Sequence, residues 1–363
     1  MKRAKITIQY ISMLKKAVYL LLVFIPLAFV AEWAHVAPVA RFCIAALGII
    51  PLAGLIGTAT EHLAERTGAG WGSFLNATFG NAAELIICIF ALRAGLHDVV
   101  KASITGAIIG NLLLVTGAAF LFGGLKREKQ TFNKTAAGIS STLLLLSAIA
   151  LIVPALFHNV TRGTTALSEH ELSLTIAIVL FAVYVSSLLF SFKTHKHLYA
   201  GEANPGPGKT TWSVGRAVGV LLPTAVGLAF MSEFLVGAIE PAAAAAGMSQ
   251  IFVGVILVAI IGNAVEHFSA ITFAAKDQMD VTLGIALGGS QQMALFVAPV
   301  LVFVSYLTAK PMDLTFTLFE VAAVMLAVLA VKFVSTDGES NWLEGVLLCA
   351  VYFILAIAFY FLP

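Results

Sequence analysis

Gly80-Asn81-Ala82-Ala83-Glu84 recurs 182 residues later as Gly262-Asn263-Ala264-Val265-Glu266, and both copies lie inside long apolar runs. The same offset carries Asp98 onto Asp280 and Gly106 onto Gly288. Earlier in each half, Thr60-Glu61-His62-Leu63 is echoed by Ser232-Glu233-Phe234-Leu235. A helix needs about 20 mostly apolar residues to cross a bilayer. On that measure the chain holds eleven spans, near 17–32, 42–60, 73–93, 99–123, 138–157, 171–192, 214–239, 251–275, 281–308, 315–334 and 342–361. Spans 2–6 then match spans 7–11. Five is odd, so the second copy enters the membrane from the opposite side. The expected fold is an all-α polytopic membrane protein with two inverted five-helix repeats. Polar motifs at corresponding helices of such repeats mark the substrate site of secondary transporters.

The composition agrees. Of 363 residues, 60% are hydrophobic and 11% charged, with a mean hydropathy of +0.98, whereas a soluble domain carries roughly 25% charged residues. The net charge of +2 comes from short basic clusters between apolar runs, which excludes a nucleic-acid-binding stripe. Cys43, Cys88 and Cys349 each lie in an apolar stretch without a CxxC partner, so they read as small buried hydrophobes rather than a zinc site.

The expected division is an N-terminal segment with the first helix over 1–36, a first repeat over 37–198, a linker over 199–212 and a second repeat over 213–363. The first apolar run has the charge pattern of a signal peptide, but no long exported domain follows, and we read it as a retained span. With the N-terminus inside, 16 of the 21 lysines and arginines fall in cytoplasmic segments. The positive-inside rule therefore places the N-terminus in the cytoplasm and the C-terminus outside.

Glu84 and Glu266 carry the chemistry. An ionised carboxylate within a bilayer is costly, so it faces the bundle interior and takes a partner. Asn81 and Glu84 stand three residues apart, as do Asn263 and Glu266, which sets each pair on one helix face. Gly80 and Gly262 permit close helix approach or a local break that frees backbone carbonyls. Carboxylate, amide and carbonyl oxygens suit a hard cation such as Ca²⁺. Paired buried carboxyls also hold protons readily. One site can hold a divalent cation or about two protons but not both, and such exclusion is the basis of antiport.

At this point the chain resembles the CAX family of Ca²⁺/H⁺ antiporters, within the cation/Ca²⁺ exchanger superfamily. The likeness runs from span 2 onward and rests on Asn76–Ile86, Ile260–His267, Gly110-Asn-Leu-Leu-Leu-Val115 and Gln292-Met-Ala-Leu-Phe-Val-Ala-Pro299. It implies that Glu84 and Glu266 bind the cation in turn with protons. It also implies that Asn81, Asn263, Gly80 and Gly262 help to form the site and that Gln292 stands close to it. Members commonly have Gly-Ser where this chain has Gly106-Ala107 and Gly288-Gly289, which puts the cation preference in question. The acidic stretch that many members carry between the halves is absent here.

Accessory candidates are His267 as a proton relay, Asn111, and Glu61, Glu233 and Glu240 as guides for entering cations. The bland alternatives are a satisfied interior histidine and solvated interfacial acids. The expected function is exchange of Ca²⁺ for H⁺ by alternating access, in a prokaryotic cytoplasmic membrane, with Ca²⁺ as substrate and no cofactor. An antiporter of the same fold using Na⁺, or carrying Mn²⁺ or K⁺, is the alternative. No nucleophile–base pair or HExxH signature supports an enzyme.

Overall fold

The computed structural model describes residues 18–67, 78–161, 166–195, 212–308 and 310–362. The basic N-terminal cluster and the 199–211 part of the expected linker lie outside these residues.

Eleven helices occupy the positions of the eleven expected spans. They are α1 (Val18–Trp33), α2 (Pro38–Thr67), α3 (Ala82–Arg93), α4 (His97–Gly124), α5 (Lys134–Thr161), α6 (Glu169–Thr194), α7 (Val214–Ala246), α8 (Gln250–Ala275), α9 (Met279–Ser305), α10 (Leu318–Val334) and α11 (Trp342–Phe361). Eight of them, all but α1, α3 and α10, are long and apolar enough to cross a membrane by length and composition. The 182-residue repeat is visible in their detail. A wider, π-type turn interrupts α4 over Gly110–Val115 and α9 over Met293–Val297, at nearly matched positions. Ser290 Oγ donates to the carbonyl of Ile108, its own repeat mate, at 3.4 Å, so the two halves meet there.

α4 is the central helix. Its most apolar window is 83% buried, against 22% for α6. Small residues let it in. A Cβ at Gly106 would collide with the backbone of Val255 on α8, and one at Gly254 would lie 2.6 Å from Ala102 Cβ. In lipid, helices associate through such close approach rather than through a hydrophobic driving force. α2 and α7 pack along each other, with α2 also touching α8 and α7 touching α3.

Polar ties brace the two ends. On one face, β1 (Gln130–Thr131) pairs antiparallel with β2 (Glu339–Ser340), and Lys129 bridges to Glu339 at 2.6 Å. Gln130 Nε2 donates to Asp277 Oδ1 at 2.6 Å, and Asn133 N donates to Asp280 Oδ1 at 2.7 Å. The α4–α5, α8–α9 and α10–α11 connections therefore share one side, as eleven spans require. At the other end, Lys101 Nζ holds Asp313 Oδ1 at 2.7 Å and donates to the Thr315 carbonyl at 2.9 Å. Glu320 and Glu344, inside their helices, are capping-box residues bonded to Thr317 and Asn341. This is a structural role.

Burial resists ionisation of Asp313, but the Lys101 charge and hydrogen bond, with the Thr315 N–H, outweigh it and hold the carboxyl below its usual range. A depressed folded value means that the tie stabilises above about pH 4, the unfolded carboxyl's range, and is lost as pH falls through the lower folded value. Asp313→Asn is expected to lower the thermal midpoint in detergent equally at pH 6 and pH 8, with the difference from the parent closing below about pH 4. Gly106→Ala is expected to cost about 1–3 kcal/mol through overpacking. Gly57→Ala, where a Cβ meets nothing within 4 Å, leaves the midpoint within a degree or so of the parent. Equal midpoints for the two variants would refute this packing account.

Candidate functional site

The two motif copies fold differently. In the first, Gly80 and Asn81 form a turn, and α3 restarts at Ala82. Asn81 is thus the N-cap residue of α3 (φ −96°, ψ 22°), and Glu84 sits in its first turn. This corrects the expectation of Glu84 midway along a continuous span 73–93, with Asn81 on the same helical face. The part of that span before residue 78 lies outside the described residues. The break at Gly80 frees Asn81 from the helix and presents Glu84 to the positive end of α3. Glu84 is 3% exposed and Asn81 fully buried.

In the second copy α8 runs unbroken through Gly262. Here the glycine serves close approach. A Cβ on Gly262 would lie 3.1 Å from Glu84 Cγ and 3.5 Å from its Oε1. The Glu84 carboxyl therefore rests on α8 one turn before Glu266, and the two charges act on each other. Asn263 is buried, and its Nδ2 donates back to the Ala259 carbonyl at 3.0 Å, which leaves its oxygen facing the cluster.

The remaining amides come from Asn111, inside the π turn of α4, and from Gln292, just before that of α9. Such turns widen the helix and loosen its carbonyls. Thr116 Oγ1 donates to the Asn111 carbonyl at 3.0 Å. Asn81 Nδ2 donates to Gln292 Oε1, and Asn111 Nδ2 donates to Asn263 Oδ1 at 3.5 Å. Each motif asparagine is thus held by an amide from the other repeat. His267 Nε2 lies 3.0 Å from Asn111 Oδ1, so His267 joins the same network.

Eight of the expected residues converge: Glu84, Glu266, Asn81, Asn263, Gly262, Gln292, Asn111 and His267. Gly80 supplies the break beside them. Three buried oxygens in the cluster, Glu84 Oε2, Glu266 Oε2 and Asn81 Oδ1, have no hydrogen-bond partner among the described residues. A buried polar atom without a partner is costly, and oxygens so placed suit a hard cation or protons. No group of three His, Cys, Asp or Glu side chains is arranged to hold a metal ion among the described residues, so a cation shell here takes amide, carbonyl or water oxygens beside the carboxylates. Glu61, Glu233 and Glu240 are exposed, and Glu240 is bonded to Gln250 at 3.1 Å. They are not part of the cluster. In the sequence Gly289 stands out only as a missing hydroxyl. In the structure it abuts Glu266 and Asn111.

The model of the sodium/calcium exchanger protein family matches residues 37–193 and 216–361. A Ca²⁺/H⁺ antiporter of Synechocystis is 44% identical over 364 aligned residues, covering 96% of this chain and 98% of that protein. The Ca²⁺/H⁺ antiporter ChaA of Bacillus subtilis is 42% identical, covering 93% and 97%. Among solved structures, native YfkE superposes with a TM-score of 0.83 at 40% identity, over 95% of this chain and all of that one.

Removing the Gln292 acceptor leaves the Asn81 amide buried and unpaired. Gln292→Leu is expected to weaken cation binding about 10–100-fold, the usual effect of losing a group that orients a ligand. Titration calorimetry with CaCl₂ checks it, and an unchanged Kd would remove Gln292 from the site.

Proposed function

The chain belongs to the sodium/calcium exchanger family, and from that premise we propose that it is a secondary transporter exchanging Ca²⁺ for H⁺ at the Glu84–Glu266 cluster. One observation carries the assignment of the site. Both motif glutamates reach a single buried cluster, with unpartnered oxygens on both carboxyls. Two carboxylates neutralise one divalent cation or bind two protons, and loading one species expels the other. At two protons per Ca²⁺ the exchange is electroneutral and the pH gradient drives it; the membrane potential adds ~2.3 kcal/mol per charge per 100 mV only for protons entering beyond two. The relatives' names as Ca²⁺/H⁺ antiporters support the choice of ions.

The packing supports alternating access. α2 meets the motif helix α8, with Gly54 facing Val265, and α7 meets the motif helix α3. A joint shift of α2 and α7 against the remaining helices uncovers the cluster to one side and then the other. The repeats over 37–198 and 213–363 are the symmetric halves of this machine. The 16-to-5 bias of basic residues supports a cytoplasmic N-terminus and an external C-terminus, and the bacterial relatives support a prokaryotic inner membrane. Mn²⁺ is an alternative cargo to test, because the resemblance to the CAX family leads us to expect serines where this chain has Ala107 and Gly289.

In proteoliposomes, a pH gradient is expected to drive Ca²⁺ uptake that a protonophore abolishes. Glu84→Gln and Glu266→Gln should each lower the rate by at least about 100-fold, since each removes half of the charge that holds the ion. Uptake that survives either substitution sinks the site assignment. Uptake driven by Na⁺ in place of H⁺ sinks the choice of coupling ion.

A further inference from the structure

Gly288 and Gly289 are neighbours on α9 with opposite surroundings. A Cβ built on Gly288 meets nothing within 4 Å. Built on Gly289, it would lie 2.9 Å from Asn111 Nδ2 and 3.2 Å from Glu266 Oε2. The first separation is closer than real Cβ atoms come, and the second forces its neighbour to give way. The amide nitrogen and the carboxylate oxygen therefore share the volume that a side chain at 289 would fill.

The two groups are chemically complementary. Glu266 Oε2 is buried with no hydrogen-bond partner among the described residues. An amide nitrogen has two N–H donors. Asn111 Nδ2 spends one of them on a long 3.5 Å bond to Asn263, and the other is free for a short swing to Glu266. The opposite end of the amide is anchored, since Asn111 Oδ1 sits 3.0 Å from His267 Nε2. The repeat mates of these residues are Ala107 for Gly289 and Met293 for Asn111. The symmetry-equivalent pair for the first motif is thus a methyl and a thioether, where the second motif's Glu266 has a bare Cα and an amide.

We propose that Gly289 and Asn111 are positioning residues for Glu266: the bare Cα lets the amide close on the carboxylate over α9 and fixes its orientation towards the cation. The proposal deepens the Ca²⁺/H⁺ reading and rests on it for the identity of the ion. The methyl of G289A separates the pair. G288A adds the same methyl into open space.

The test is the Kd for Ca²⁺ by titration calorimetry on the purified full-length protein in detergent, with CaCl₂ as the probe. The expected result is about tenfold weaker binding for G289A, the low end for lost ligand orientation, and an unchanged Kd for G288A. In the N111A background the added cost of G289A falls below about twofold, because no amide is left to be separated and Glu266 can give way into the space it vacates. A parental Kd for G289A, equal losses for G288A and G289A, or fully additive losses in the double variant overturns the proposal. If G289A does not fold, N111A alone decides: about tenfold weaker binding supports it, and a parental Kd overturns it. A protein that binds Ca²⁺ but does not exchange it for H⁺ overturns the exchange reading alone, leaving the positioning claim to stand or fall on the Kd values.

Discussion

Two carboxyls confined to one water-poor cluster need either a cation between them or protons on them, because neither hydration nor distance is available to separate their charges. Glu84 and Glu266 are in that situation, with Glu84 resting on α8 at Gly262 and the charge of each acting on the other. Much of the architecture serves to bring them there. The turn at Gly80 starts α3 so that Glu84 lies at its positive end, and the bare Cα atoms of Gly262 and Gly289 give the two side chains their space. Amides exchanged between the repeats, Gln292 to Asn81 and Asn111 to Asn263, hold the neighbouring oxygens in place.

A site that must release its ion to either side needs a scaffold that does not follow the moving parts. α4, α8 and α9 form it, joined by the small-residue contacts of Gly106 and Gly254. It is tied at one end by β1–β2 and the Asp277 and Asp280 bonds, and at the other by Lys101 on Asp313. α2 touches the motif helix α8 of this scaffold, and α7 touches the other motif helix, α3, so movement there reaches both glutamates.

Much of this was legible in the sequence because bilayer-length apolar runs report helices directly, and because Glu84 and Glu266 stand out as charges within them. The 182-residue offset also identified Asn81, Asn263 and Gly262 from type and spacing alone. Other features were not legible. The same Gly-Asn pair breaks the chain at residue 80 and not at residue 262, since the outcome depends on neighbouring helices rather than on the pair itself. The π turns at Gly110–Val115 and Met293–Val297 leave the apolar pattern unchanged and cast no signal. The Asn81–Gln292 bond joins residues 211 positions apart, beyond any local rule. Glu61 and Glu233 belong to echoed segments and still lie outside the cluster, because a repeat in sequence does not say which way a side chain is turned.

The central claim is that cation and protons exclude each other at one pair of carboxyls. Proton release on Ca²⁺ binding tests it most directly, read with a pH indicator on the purified protein in weak buffer. Metal binding to protonated ligands must expel their protons. The account predicts release that approaches about two protons per Ca²⁺ bound as the pH is lowered towards full protonation of the site, and none from a protein carrying both Glu84→Gln and Glu266→Gln. Tight Ca²⁺ binding to the unsubstituted protein with no proton release across that range would contradict it.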